Sequence, residues 1–223
     1  MSIPASDLLD PSETPTKIVN VNFGQSTGEP PTGIWSRLKA GTRTVHGRLD
    51  SRIMEGRPFE SRERYGLFVL VQHDFHAIVS PLYQHTDLAP LLPDLKERDR
   101  FALIQQDLRD LGIEVAERPH PQLDYLLDVP ASLGWLYVAE GSNLGAAFLL
   151  KAAKQLDLSE SFGARHLAAA PEGRGLHWKT FTAALDAIAL SAEEEARVIA
   201  GANDAFARIL EAVETRFFGQ APD

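Results

Sequence analysis

His46 and Lys39 stand seven residues apart in a stretch whose apolar residues recur at helical spacing. Both therefore fall on one border of the same apolar stripe, about 20° apart around the axis. One helix edge thus offers a neutral nitrogen donor and a cation. A neutral imidazole is a common axial donor to heme iron, and an ammonium two turns away can meet a carboxylate at the rim of a macrocycle. The plainer alternative is a border histidine that hydrogen-bonds at the surface. A second feature is GWLYVAEGSNLGAAFLLK, Gly134 to Lys151. At about 100° per residue, Gly134, Gly141 and Gly145 fall within roughly 40° of one another. Each glycine costs a helix interior about 1 kcal/mol relative to Ala. A bare track along one face lets something flat come against the main chain, and close packing of two helices across small residues explains the spacing equally well.

The other histidines are weaker candidates. His73 and His76, in HDFH, are at i and i+3 and can share a metal, but no carboxylate pair stands at matching positions, so they read as packing or surface residues. A di-iron site of the ferritin type needs Glu-x-x-His on two helices. Glu117 to His120 has that spacing, and Pro119 and Pro121 break it. His85, His120, His166 and His177 lie in or beside expected loops and give no signal.

The elements that must position these residues are helical. Residues 1–31 are rich in Pro, Ser, Thr and Gly and read as an arm, with at best a short extended piece at Lys17 to Phe23. Ile34, Leu38, Val45, Leu49 and Ile53 predict a helix from Thr32 to about Met54; a second covers Ser61 to Val79, closed by Pro81. A third runs from Asp94 to Leu111, with Gly112 at its C′ position. After the loop Glu117 to Pro121, Pro130 opens the glycine-bearing helix, which continues to about Leu156. Leu176 to Leu190 reads as helix, and Ser191 with Glu194 forms a capping box for a last helix ending near Phe218-Gly219. Strand signals are nearly absent. The expectation is an all-α, single-domain bundle of six or more helices over residues 32–219, with a tail at 220–223.

Composition narrows the function classes. The 223 residues contain no Cys, which excludes disulfides, thiolate metal sites, iron–sulfur clusters, thiolate-ligated heme and a cysteine nucleophile. The N-terminal MSIPASDLLDPSE lacks a basic and then apolar leader pattern, and no run of about 18 apolar residues occurs, so a soluble cytoplasmic protein is expected. A net charge of −9 argues against general nucleic-acid binding. Locally the balance reverses. Arg37, Lys39, Arg43, Arg48, Arg52 and Arg57 face only Asp50 and Glu55, a cationic patch suited to an anionic ligand or an acidic partner.

AGTRTVHGRLD around His46, followed about ninety residues later by EGSNLGAAFLLKAAKQL and then by SAEEEARVIAGANDAF, resembles the biliverdin-producing heme oxygenases, in particular their bacterial branch with Gly-Ser on the distal helix. The resemblance runs from about Ile34 to Phe217. It implies an all-α heme oxygenase fold and conversion of heme to biliverdin, ferrous iron and carbon monoxide. O2 and electrons from a ferredoxin, a flavoprotein reductase or ascorbate would be consumed, and a phytochrome is a candidate acceptor of the product. It also implies that His46 ligates the iron, that Lys39 and Arg43 meet the propionates, and that Gly141, Ser142 and Gly145 lie over the heme face. Tyr137, Val138, Phe148, Leu149 and Phe206 would line the pocket.

In such a reaction dioxygen at the heme iron attacks the macrocycle itself, so the protein needs no nucleophile or side-chain base. It has to place and hydrate. Ser142 stands where many members have an aspartate, and Thr182 close to where others place a propionate arginine, so Arg43, Lys151 or Lys179 would substitute or the heme would sit rotated. A heme-binding carrier or sensor on the same scaffold is the alternative. A cofactor-free helical bundle is another, and the thiamin-degrading enzymes of similar fold are disfavoured by the lack of Cys.

Overall fold

A computed structural model describes residues 33–115 and 128–219. The expected extended piece at Lys17 to Phe23, the loop Glu117 to Pro121 with His120, and the tail 220–223 lie outside the described residues. Six α-helices account for the architecture: α1 (Ile34–Glu55), α2 (Arg62–Val79), α3 (Phe101–Asp110), α4 (Val129–Ala153), α5 (Arg174–Asp186) and α6 (Ala192–Phe218). Among the described residues there is no strand beyond isolated bridges around Ser159. No described helix is long and apolar enough to cross a membrane.

Helix ends follow local chemistry. Ser61 accepts from the amide of Arg64 to start α2, Asp128 accepts from that of Ala131 to start α4 with Pro130 in its first turn, and Ser191 and Glu194 form the expected reciprocal box at α6. Gly112 and Gly219 sit at φ +70° and +67°, the left-handed geometry that ends a helix cheaply only for glycine. α1 is capped from afar. Its N-cap Gly33 offers no side chain, and the Asp186 carboxylate at the end of α5 accepts from the Trp35 amide at 3.1 Å. A Cβ on Gly33 would lie 2.5 Å from that carboxylate, so glycine is required for the approach.

Two expected helices are shorter than their patterns. The run from Asp94 to Leu111 is a 3-10 turn at Lys96–Arg98, an extended Asp99, and then α3. Asp99 leaves helical geometry to accept from the Phe101 amide at 2.9 Å and from the Ser80 hydroxyl at 2.6 Å. α5 stops at Asp186 rather than Leu190, because Ser191 must be extended (φ −70°, ψ 162°) to cap α6.

Packing divides into two apolar clusters. The larger gathers α1, α2, α4, α5 and α6 around Leu38, Phe75, Trp135, Leu136, Phe181, Val198 and Ile209. The smaller joins α2, α3 and the end of α4 around Tyr65, Phe68, Ile104, Leu150 and Leu158. α4 belongs to the first through Leu133–Ala139 and to the second from Ala146 onward. Between them lies 140–145, Glu-Gly-Ser-Asn-Leu-Gly.

Candidate heme site between two helices

The three glycines of α4 do not form one track. A Cβ on Gly134 would lie 2.1 Å from the Val198 carbonyl oxygen, and one on Gly201 of α6 would lie 2.3 Å from that of Ala131. α4 and α6 therefore cross main chain on main chain there, and Gly134 serves helix packing. Gly141 and Gly145 differ. A Cβ on Gly141 would meet the Trp178 ring at an ordinary 3.6 Å, and one on Gly145 would meet nothing within 4 Å. The bare surface is confined to the segment between the two clusters.

On α1, His46 is half-exposed, with 53% of its side chain accessible. Its Nδ1 lies 3.1 Å from Oδ2 of Asp50 one turn on, and its ring meets the edge of Phe206 from α6 at 5.6 Å and 87°. Burial pushes the Asp50 carboxyl up while His46 draws it down. A carboxylate on one imidazole nitrogen fixes ring orientation and leaves the other, Nε2, to act as donor. Lys39 lies with Nζ 5.8 Å from the Trp35 ring centre; burial, then Arg43, lowers its pKa.

The cationic patch is smaller than the sequence suggested. Arg37 is paired with Glu195, Arg52 with Glu214 and Glu55, and Arg57 with Glu60. Arg52 also stacks on Phe218, 3.4 Å from the ring centre. Acidic residues of α6, remote in sequence, neutralise two of the arginines. Arg43 makes no ion pair among the described residues and lies, with Lys39, within about 60° of His46 around α1, whereas Arg48, two residues after His46, points about 160° away.

On α4, the exposed Ser142 donates to the Ala139 carbonyl at 2.7 Å, and the main-chain carbonyl of buried Asn143 accepts from Arg174 at 2.9 Å. Tyr137 packs on Trp178 at 5.7 Å and reaches Thr42 of α1; burial pushes its hydroxyl up to about 12, with Thr42 acting in the opposite sense. Val138 is buried in the larger cluster, Leu149 is half-buried against the smaller one, and Phe148 is 51% exposed. Thr182 is buried and donates to carbonyls of its own helix, Trp178 at 3.1 Å and Lys179 at 3.2 Å. Arg43, Lys151 and Lys179 are all exposed.

Several histidines prove more buried than their sequence positions indicated. His73 and His76 pack in the core, and burial pushes His76 down to about 3, so it is neutral. His166 is buried with Nδ1 2.7 Å from Oδ2 of Asp107, and His177 is buried between Glu140 and Glu172. One signal pointed toward this: Glu140 is the lone charged residue in the run from Val129 to Leu150, and a buried charge needs partners.

The residues fit heme on the structure's own terms. Gly145 on α4 faces open space and Gly141 beside it carries no side chain, an imidazole with one nitrogen taken up by Asp50 stands on α1, and Lys39 and Arg43 lie on the imidazole's side of that helix. Comparison with known proteins agrees. A heme oxygenase family model matches residues 33–215. The heme oxygenase PigA of Pseudomonas aeruginosa is 44% identical over 181 residues, covering 81% of this chain and 91% of that relative. The structure is similar to that of the NO- and CO-bound heme oxygenase from Neisseria meningitidis, with a TM-score of 0.80 and 41% identity over 86% of this chain and 96% of that one. With most of both lengths shared, and with the helices that carry His46 and Gly141-Ser142 inside the matched span, this chain belongs to the heme oxygenase family.

Proposed function

We propose that this heme oxygenase holds its substrate through His46 and degrades it to biliverdin, ferrous iron and carbon monoxide. The observation that supports the ligand assignment is the half-exposed His46 ring, its Nδ1 taken up by Asp50 and its Nε2 left as donor. Bound heme supplies the iron at which O2 is activated and is itself the carbon skeleton that is oxidised. The protein's work is placement and hydration. Gly141 and Gly145 let α4 lie close on one face of the macrocycle, so that most of its edge is covered. Their amides, the Ser142 hydroxyl and Asn143 hold waters that deliver protons on the distal side. Phe206 buttresses the imidazole. Tyr137, Val138, Phe148 and Leu149 form apolar wall, and Lys39 with Arg43 meets the propionates, Arg43 standing in for the arginine that Thr182 lacks.

The carrier or sensor alternative finds no support among relatives that are named as heme oxygenases. Residues 32–219 are the working domain of this reading, and the expected arm at 1–31 and tail at 220–223 lie outside the described residues. A cytoplasmic setting, where reductases are at hand, belongs to the same reading. The exposed Arg43 on α1 suits an acidic electron donor such as a ferredoxin, with a flavoprotein reductase or ascorbate as substitutes; a phytochrome as acceptor of the product is carried by resemblance alone. Hemin titration tests the assignment. Wild type should give a Soret band that biliverdin absorption replaces on addition of reductant, and His46→Ala should lose both. A His46→Ala protein with wild-type spectrum and rate would refute it.

A further inference from the structure

Glu140 immediately precedes Gly141-Ser142, and its side chain is fully enclosed, yet three elements reach it. The Tyr83 hydroxyl donates to it at 2.8 Å, Arg98 donates to it at 2.8 Å, and His177 Nε2 lies 3.3 Å away. Burial pushes its carboxyl up, but His177, Arg98 and Tyr83 together more than reverse this, so it stays ionised. Arg98 is fully engaged. It holds both oxygens of Asp94 at 3.1 and 3.2 Å and also donates to the main-chain carbonyl of His177 at 3.3 Å. One guanidinium thus joins the α4 side chain before Gly141 to the α5 main chain before Trp178. The Trp178 ring is the group that lies beneath Gly141.

Asp94, Glu172 and His177, which border a cavity of about 370 Å³, offer atoms within 4.8 Å of one another, as a cation would need. Arg98 already supplies the positive charge there, so the cluster is complete without an ion. A buried ion pair of this kind is seldom worth more to stability than apolar side chains of the same volume. Its distinctive effect is to fix one arrangement of the groups it joins.

We infer that Glu140, through Arg98, Tyr83 and His177, is a positioning residue that sets the height of Gly141-Ser142 above the macrocycle and so keeps attack on a single edge. The inference rests on the heme reading above. α4 changes allegiance between two apolar clusters at this point, so apolar packing alone leaves segment 140–145 the least constrained part of the helix.

The test compares wild type with Glu140→Gln, Glu140→Leu and the double variant Glu140→Leu/Arg98→Leu, which removes both charges together and keeps the protein foldable if the single leucine variant is not. Two readouts are needed: the biliverdin isomers formed from hemin with reductant, and the near-ultraviolet circular dichroism of the heme-free protein, from which the Trp178 contribution is taken as the difference made by Trp178→Phe in each background, since Trp35 and Trp135 also contribute. With hemin affinity kept within about threefold, the leucine variants should give a mixture of isomers and an altered tryptophan signal, and Glu140→Gln, which retains shape and two hydrogen bonds, should restore both partly. Leucine variants with one isomer and an unchanged tryptophan signal would overturn the positioning role while leaving His46 as ligand untouched. Failure of wild type to bind hemin would remove the underlying reading instead.

Discussion

Alanine at two glycines of α4 should have opposite effects on stability. At Gly145 a Cβ meets nothing within 4 Å. Gly145→Ala therefore gains helix propensity without a clash, about 1 kcal/mol, and should raise the Tm of the heme-free protein by about 2–4 °C. At Gly134 the same methyl would lie 2.1 Å from the Val198 carbonyl oxygen and 2.5 Å from the Ala202 nitrogen. Main chain cannot rotate away as a side chain can, so α4 and α6 must separate, at a cost of about 1–3 kcal/mol and a Tm lower by about 2–12 °C. Heme binding reverses the comparison at Gly145. A Cα–Cβ bond of about 1.5 Å pushes a macrocycle back from its contact with the helix, and a gap of about 1 Å already forfeits up to about half of a dispersion well. Hemin affinity should fall about tenfold or more, roughly 1.4 kcal/mol. Thermal denaturation of the heme-free variants and hemin titration by Soret absorbance measure the two effects. A Gly145→Ala protein that is stabilised and still binds hemin and turns it over like wild type would refute the bare-face assignment.

Added imidazole should restore the spectrum and part of the turnover of His46→Ala, since only the axial donor is missing; no recovery in a protein that still binds hemin would count against ligation. Ser142→Ala should leave hemin affinity within about threefold of wild type and slow turnover, because its hydroxyl holds water rather than heme; single-turnover absorbance checks this. Contact with Glu140 first, and then Glu172, raises the His177 pKa against the opposing effects of burial and Arg98. A raised folded pKa means that the stabilisation is fully present below the unfolded value of about 6.5 and is lost as pH rises through the folded value. The Tm gap between wild type and His177→Asn should therefore narrow from pH 6 to pH 9, and a constant gap would show that the charge is not involved.

What the sequence made legible was local. The Ser191–Glu194 box, the left-handed Gly112 and Gly219, and Pro130 in the first turn of α4 depend on neighbours within four residues, and all appear where the pattern placed them. The features that escaped depend on partners far along the chain. The helix expected from Asp94 breaks where Arg98 turns inward to Glu140, and nothing near Arg98 announces that carboxylate. Gly134 looked like a companion of Gly141 because periodicity reports a face and not what lies against it; the answer was Gly201, on another helix. The α1 cations looked like one patch because Glu195 and Glu214 approach only in the fold. The proposed site residues on α1 and α4 were legible because each helix carries its own motif, whereas the buried network behind Glu140 was not.

The two helices of the proposed heme site are fastened differently. α4 is clasped to α6 by bare main chain at Gly134 and Gly201, whereas α1 is joined to α6 through side chains, with Ile199 against Gly41 and ion pairs at Arg37 and Arg52. Rotamers and salt links can rearrange and respond to ionic strength, and interlocked main chain cannot. If the proposed site is right, any widening that admits a bulkier tetrapyrrole, or lets the opened, curled pigment leave, falls to the histidine-bearing helix, and efforts to broaden the repertoire of this scaffold belong on α1 and its salt links, with the glycine clasp left alone.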